Sequence, residues 1–330
     1  MKRKNTCGLV GAVLALTMMV SGCQVGNRDI VVMNAMSNKQ VFQIDGEECS
    51  LKEAEVYLCN YSNLYGTAYT IDLWQHDFGE NSLEDYVKDI TLEELTRVYC
   101  MDLLAESQQV ALNDEEKKLV SDAAEEYYGS LTKEEISYME VQKADIEEYY
   151  GHYALAQKLY NSLTNGVNEE VSDDEARVME IMQIYVSDES KALEVKSKLE
   201  SGDDFASVAS NYNELSAVSV SVTRDDLPEE VEEVAFQLDD NEVSGMISAA
   251  NGYYFIKCLN KYDVEQTEEN KSNIVEKREK EAFDDVYHAF VSNLDSRLNE
   301  KLWDNLELGT KEDITTSSFF SVYQKYCSDI

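Results

Sequence analysis

Histidines and clustered carboxylates, the residue types that most often carry catalysis or hold a metal, form no site pattern in this chain. The three histidines, His76, His152 and His288, are far apart in the sequence, and each reads as an ordinary surface or packing residue. The acidic runs match no calcium-binding loop, because the ligand spacing of an EF-hand is absent. We therefore expect no metal and no cofactor.

The cysteines that follow Cys23 also lack a site pattern. They are Cys49, Cys59, Cys100, Cys258 and Cys327. The set is odd in number and contains neither a Cys-x-x-Cys pair nor a zinc-type spacing, so at least one thiol should be free. The sequence does not decide whether Cys49 and Cys59 form a disulfide. Cys59 and Cys258 lie in apolar patterns and are expected to be buried.

The region with the clearest order of elements runs from residue 176 to residue 262. It opens with a β-branched run at 178–186, which is typical of a strand. Helical spacings follow around Ala192, Phe205 and Val234, and a short strand is expected at 219–223. Two more strand-like runs, 242–249 and 253–259, are separated by an Asn-Gly turn, which is a strong hairpin signal. The predicted order is strand, helix, helix, strand, helix, strand, strand.

This order and its sequence phrases resemble the parvulin family of peptidyl-prolyl cis-trans isomerases. The matching pieces are LESGDDFASVA at 199–209, Pro228 with VAFQL at 234–238, NEVSG at 241–245, and Gly252-Tyr253 with Ile256-Lys257. The resemblance covers about a quarter of the chain and implies a small domain with an antiparallel sheet and helices. It also implies an active site that isomerises X–Pro bonds.

The resemblance places the expected site residues, and it shows where this chain departs from the family. Gln183 and Tyr254 stand where parvulins usually have histidines. The glycine-rich loop that normally brings a Cys or Asp to the site is short here and contains no glycine. Because Gln183 and Tyr254 can still hydrogen-bond each other or a substrate, they are the expected catalytic pair. The alternative is that both only fill the interior of the sheet.

Isomerisation of an X–Pro bond needs an apolar pocket and polar groups that favour the twisted amide. The barrier is about 18–20 kcal/mol, because rotation removes the resonance of the amide. The resemblance places Leu227 and Val231 at the apolar pocket positions. Phe255 and Ser244 complete the expected set of substrate-binding residues.

The beginning of the chain is expected to be an export signal rather than part of the fold. Residues 1–22 have a basic start, Lys2 to Lys4, and then an apolar stretch too short to span a membrane comfortably. Small residues immediately before Cys23 resemble the bacterial lipobox, which implies cleavage before Cys23 and acylation of that residue. We expect a protein that works outside the cytoplasm, anchored to the cell membrane by lipidated Cys23. An ordinary secreted protein is the alternative.

The rest of the chain reads as a helical body built from both chain ends. A tether is expected at 23–39, an N-terminal helical part at 40–175, and a C-terminal part at 263–330 with one long helix over 266–308. Capping boxes of the form Ser/Thr/Asn-x-x-Glu begin at Ser50, Thr91, Asn113, Thr132 and Ser172. The opening strand, turn and capped helix resemble the start of SurA- and PrsA-type chaperone domains. The fold class is α+β, a mainly helical chaperone-like domain with an inserted parvulin-like domain at 176–262.

Charge and composition narrow the functional classes. The formal net charge is −38, and removal of the three basic residues of the signal would lower it to −41. So acidic a surface argues against nucleic acid and against flat docking on anionic lipid. Two hypotheses stay open: a membrane-anchored isomerase that assists the folding of exported proteins, and a non-catalytic holdase chaperone or assembly lipoprotein. In both, the expected partners are unfolded or newly exported polypeptides.

Overall fold

The computed structural model describes residues 36–68, 71–75, 82–306, 308 and 312–330. The expected signal segment, Cys23 and most of the expected tether lie outside the described residues. The chain divides into two compact units, one made of residues up to 165 together with 282–330, and one made of residues 166–281. The second unit contains the whole of the predicted inserted domain and is wider than it at both ends.

The described elements are numbered in chain order. The strands are β1 Gln40–Ile44, β2 Glu47–Ser50, β3 Thr67–Ala68, β4 Ile71–Asp72, β5 Met179–Val186, β6 Ser219–Val222, β7 Ile247–Ala249, β8 Gly252–Asn260 and β9 Ser296–Leu298. The helices are α1 Leu51–Tyr65, α2 Leu83–Ser107, α3 Asp114–Ser130, α4 Lys133–Met139, α5 Lys143–Thr164, α6 Asp173–Ala176, α7 Glu189–Glu200, α8 Phe205–Tyr212, α9 Glu229–Ala235, α10 Val264–Val291, α11 Glu300–Asp304 and α12 Phe319–Cys327. A short 3-10 helix lies at Leu73–Gln75.

Side-chain caps explain where most helices of the first unit begin. Asn113 and Thr132 form complete capping boxes at the starts of α3 and α4, and the Ser50 hydroxyl accepts a hydrogen bond from the Glu53 amide in the first turn of α1. The predicted start at Thr91 is wrong. Thr91 is fully buried inside α2, which begins instead at a capping box formed by Ser82 and Asp85.

The long helix predicted over 266–308 ends early. Helix α10 stops at Val291, and the side chains of Ser292 and Asn293 both donate hydrogen bonds back to the carbonyl of Ala289. Such local bonds compete with the continuing helix ladder. The chain then turns and forms β9, which pairs antiparallel with β1, with Phe42 opposite Leu298.

The core of the first unit is rich in buried tyrosines. Tyr57, Tyr127 and Tyr150 are each fully buried and surround Phe319 of α12, with ring centroids 4.4–5.2 Å from its ring. Aromatic pairs at these separations add to the stabilisation from buried area. Helix α12 is therefore part of this core.

The second unit is built on a four-stranded antiparallel sheet in the order β6-β5-β8-β7. One face, here called the α9 face, carries Ile181 and Ile256 and packs against Val231 of α9. The opposite face, here called the α7/α8 face, carries Ile184 and packs against Phe205 and other residues of α7 and α8. The strand predicted at 242–249 is shorter than expected: only β7 forms, with one isolated bridge between Val243 and Lys257. Helices with small antiparallel sheets confirm the α+β class.

Two further observations concern the membrane and the cysteines. No helix in the described part of the chain is long and apolar enough to cross a membrane. Cys49 is a free, fully buried thiol, so Cys49 and Cys59 form no disulfide. Cys59 and Cys258 are buried, as their apolar surroundings predicted.

Candidate functional site

The two central strands of the second unit bring the expected catalytic pair onto one face. In the β5–β8 ladder, Gln183 lies opposite Ile256 and Tyr185 lies opposite Tyr254. Because side chains alternate between faces along a strand, all four project from the α9 face, where Gln183 and Tyr254 are diagonal neighbours. Both are nearly buried, with 8% of Gln183 and 5% of Tyr254 exposed.

The amide of Gln183 is engaged by the short loop that stands in place of a glycine-rich one. Its Nε2 donates to the carbonyl of Ala217 at 3.3 Å, and its main-chain N–H donates to the carbonyl of Val218 at 2.8 Å. Asn213 attaches the same loop to β5, since its Oδ1 accepts from the Tyr185 amide at 3.0 Å and its Nδ2 donates to Ala217 at 3.2 Å. The loop therefore runs directly along the edge of the site.

The hydroxyl of Tyr254 is held by the hairpin turn that precedes β8. Asn251 Nδ2 donates to the Tyr254 hydroxyl at 2.9 Å, and the Tyr185 hydroxyl donates to the Asn251 carbonyl at 2.6 Å. The two tyrosine rings lie 4.9 Å apart. Because the Tyr254 oxygen accepts the bond from Asn251, its own proton can still be donated to another group.

The two expected pocket residues, Leu227 just before α9 and Val231 within it, share this face but differ in how far they are exposed. Leu227 is half-buried and packs against the cluster that contains Tyr254. Val231 belongs to the same cluster and is fully buried, so a bound ring could reach it only if neighbouring side chains moved. Pro228 lies between them and precedes the first turn of α9.

Two of the expected substrate-binding residues have other surroundings. Phe255 projects from the α7/α8 face, where it is 1% exposed and packs with Ile184 and Phe205, so the prediction that it contacts a proline beside Tyr254 is wrong. The physical reason is the strand alternation, which sends residues 254 and 255 to opposite faces. Ser244 is nearly buried. Its hydroxyl accepts from the Ile256 amide and donates to the Gly245 carbonyl, both at 2.8 Å, and so fastens the chain to β8.

Tyr185 and Asn251 were missed as site residues by the sequence reasoning. Tyr185 could have been found, because it follows Gln183 by two positions in a strand and therefore shares its face. Asn251 stood out only as a turn residue. Its contact with both tyrosine hydroxyls depends on the β7–β8 hairpin, which places Asn251 near the C-terminal end of β5.

Ion pairs and burial set the electrostatics around this site. Lys191 and Ser187 donate hydrogen bonds to Glu214, and they lower the pKa of that exposed carboxyl to about 2. Arg224 lies 4.1 Å from the centre of the Phe236 ring.

Burial raises the pKa of the Cys258 thiol, so this cysteine is not activated as a nucleophile. No cluster of possible metal ligands occurs among the residues that the structure describes.

Comparison with known proteins locates the same domain. Residues 141–271 match the family model of the PPIC-type PPIASE domain. The chain is 26% identical over 247 residues to the foldase protein PrsA of Caldanaerobacter subterraneus subsp. tengcongensis, a match that spans 68% of this chain and 74% of that protein. It is 25% identical over 210 residues to foldase protein PrsA 3 of Bacillus anthracis, over 59% of this chain and 73% of that protein.

The structural comparison adds a crystal structure of PrsA from Bacillus cereus. It shares 21% sequence identity and has a TM-score of 0.38, over 75% of this chain and 96% of that one. The matched residues 141–271 include the whole of the expected inserted domain at 176–262 and begin before it. Residues 141–271 of this chain therefore match a PPIC-type PPIASE domain, and the chain is similar in sequence to the PrsA foldases.

Proposed function

We propose that this protein assists the folding of polypeptides and isomerises X–Pro bonds at the α9 face of its parvulin-type domain. The observation that supports this most directly is the convergence of Gln183, Tyr254 and Leu227 on one face of the β5–β8 ladder. The relatives named foldase protein PrsA support the folding role.

In this proposal each side chain has one task. The proline ring lies against Leu227, the half-buried apolar side chain of the cluster. The Tyr254 hydroxyl, oriented by Asn251, donates its proton as a hydrogen bond to the carbonyl of the rotating amide. Donors that fit the twisted amide better than the planar one lower the barrier. Gln183 completes the polar side of the site when its 3.3 Å bond to the Ala217 carbonyl is released.

Isomerase assays on X–Pro peptides test this proposal, because the uncatalysed reaction takes tens of seconds. The chain from residue 24 onward should accelerate it, and Tyr254→Phe and Gln183→Ala should each lower the acceleration. Tyr253→Phe is the matched control, since Tyr253 is the neighbouring tyrosine but packs on the α7/α8 face. Equal losses in Tyr253→Phe and Tyr254→Phe would contradict the assignment of the site.

A non-catalytic holdase is the second candidate function. It is favoured by two observations: the Gln183 and Tyr254 side chains already have partners within the domain, and Val231 is fully buried. In that case the chain would show no rate gain at high concentration and would still suppress the aggregation of an unfolded client. Isomerisation at the uncatalysed rate on every X–Pro peptide tested, together with such suppression, would select this function.

The place of action is part of the same proposal. Export through the signal at residues 1–22 and acylation of Cys23 would hold the protein on the outer side of the cell membrane, where newly exported polypeptides fold. Detergent partitioning and the intact mass of the mature protein test this. Cys23→Ala should shift the protein to the aqueous phase, and an unchanged partition would contradict the lipid anchor.

A further inference from the structure

The C-terminal tail, residues 312–330, is bound along its main chain by side chains of the helical unit. At its start, Glu135 Oε1 accepts from the amides of Thr315 and Thr316, both at 2.8 Å. Asn63 Nδ2 donates to the Thr316 carbonyl at 2.8 Å. These three bonds fix an irregular stretch of the tail, which lies outside regular secondary structure and could not satisfy its own main chain.

The middle and the end of the tail are held in the same way. Asn60 Oδ1 accepts from the Phe319 amide at 3.0 Å, and the Tyr150 hydroxyl donates to the Phe319 carbonyl at 2.7 Å. At the end of α12, Gln157 Nε2 donates to the Ser328 carbonyl at 3.3 Å, and Asn161 Nδ2 donates to the Ile330 carbonyl at 2.8 Å. Bonds to the main chain are independent of the sequence that is bound.

An aromatic side chain anchors the tail between these polar contacts. Phe319 is fully buried and lies within 4.4–5.2 Å of the rings of Tyr57, Tyr127 and Tyr150. The adjacent Phe320 stacks on Tyr61 with ring centroids 4.6 Å apart. A pocket lined by tyrosines offers large apolar area with polar tips, which suits aromatic side chains in general.

The tail groove is defined here as the surface formed by Asn60, Asn63, Glu135, Tyr150, Gln157 and Asn161 together with the tyrosine pocket around Phe319. We propose that the tail groove is a polypeptide-binding site, which the chain's own C-terminal tail occupies in cis. Its external ligand is an unfolded polypeptide segment with one aromatic side chain, which displaces the tail. The assignment of an unfolded polypeptide as the ligand rests on the proposed folding role. The residues of the tail groove belong to the first compact unit, whereas the α9 face belongs to the second.

Binding of a labelled peptide with the sequence of residues 312–330 tests the proposal. The purified protein with Phe319→Ala has a weakened tail and should bind this peptide at least about tenfold more tightly than the wild-type protein does, because a large buried aromatic anchor is lost from the competitor. The same peptide carrying Phe319→Ala should bind at least about tenfold more weakly. Fluorescence anisotropy gives both affinities, and circular dichroism establishes that the variant is folded. A folded variant that binds neither peptide would overturn the proposal.

A second variant covers the case in which Phe319→Ala does not fold. Phe320→Ala in the tail removes the stacking of that ring on Tyr61 and leaves the residues of the tail groove unchanged. This protein should also bind the labelled peptide more tightly than wild type, and an affinity equal to that of wild type would overturn the proposal.

Competition experiments separate general client binding from specific recognition of the tail. An unrelated polar peptide with a single phenylalanine should displace the labelled peptide, and its alanine counterpart should not. If neither displaces it, the tail groove recognises only its own tail and the client assignment is overturned. Tyr254→Phe should leave these peptide affinities unchanged. A loss of isomerase activity can therefore be distinguished from a loss of peptide binding to the tail groove.

Discussion

A buried ion cluster in the helical unit should make the stability of that unit fall as the pH rises. Glu53 is 1% exposed and accepts from the Tyr99 hydroxyl at 2.7 Å, and its other oxygen lies 3.3 Å from His152 Nδ1. Burial by itself lowers the pKa of His152, but the hydrogen bond to Glu53 and the charges of Glu53, Asp102 and Glu148 outweigh it and raise that pKa to about 9. Imidazolium is therefore the form that the folded unit favours.

The magnitude follows from the difference between the folded and the unfolded pKa of His152. The rise from 6.5 to about 9 corresponds to about 3 kcal/mol of unfolding free energy, at 1.36 kcal/mol for each pKa unit. Because the folded pKa is raised, this stabilisation is fully present below pH 6.5 and is lost as the pH rises to about 9. Burial also raises the pKa of Asp102, to about 8, so the contribution of that carboxyl falls with rising pH as well.

Denaturant unfolding between pH 6 and pH 9.5 measures this loss. The wild-type protein should lose about 3 kcal/mol or more over this range, and Glu53→Gln should be less stable at pH 6 and should show a flatter pH dependence. The control is His288→Asn, which removes an exposed histidine and should leave the slope unchanged. A wild-type slope that is flat or rising, or a Glu53→Gln slope equal to that of wild type, would refute the reasoning.

Three further substitutions test other parts of the structure. Gly252→Ala should destabilise the parvulin-type domain, because φ of Gly252 is +146° and an added Cβ would lie 2.7 Å from the Val186 carbonyl. The backbone strain alone should lower the unfolding free energy by about 1–3 kcal/mol, which thermal unfolding would measure. Asn60→Ala should lower the unfolding free energy by about 2–3 kcal/mol, because it leaves the buried Phe319 amide without an acceptor. Asn113→Ala should cost about 1 kcal/mol through loss of the cap of α3.

Two control substitutions test whether the stability losses of Gly252→Ala and Asn60→Ala come from the named contacts rather than from a general sensitivity of the protein to substitution. Gly245→Ala meets open space and should change the stability by less than about 0.5 kcal/mol. Asn63→Ala removes one bond at a half-buried site and should cost about 1 kcal/mol, which is less than Asn60→Ala. Equal losses within either pair would contradict the contacts assigned to Gly252 or Asn60.

The sequence was most informative where structure is decided by near neighbours. The capping boxes at Asn113 and Thr132 occur as predicted, because a cap involves residues only three positions apart. Thr91 shows the limit of this reasoning, since the same pattern inside a longer helix carries no cap. The early end of α10 at Val291 was missed because the pairing of β9 with β1 joins parts of the chain that are far apart in the sequence.

The candidate site was predicted in part, and the errors have physical causes. The resemblance placed Gln183, Tyr254 and Leu227, and these three share one face in the structure. The assignment of Phe255 overlooked strand alternation, which the sequence already contained. The contact of Asn251 with Tyr254 required the tertiary structure, because only the folded turn and sheet bring these side chains into hydrogen-bond distance.

The sequence by itself determined the α+β class, the parvulin-type order of elements and the positions of several helix starts. These features depend on periodicity, caps and turn residues, which act over a few positions. The tertiary structure alone decided that Glu53 meets His152 inside the helical unit and that the C-terminal tail is held by Asn60, Glu135 and Tyr150. Such contacts join residues up to 259 positions apart, and only the packing of helices in three dimensions brings them together.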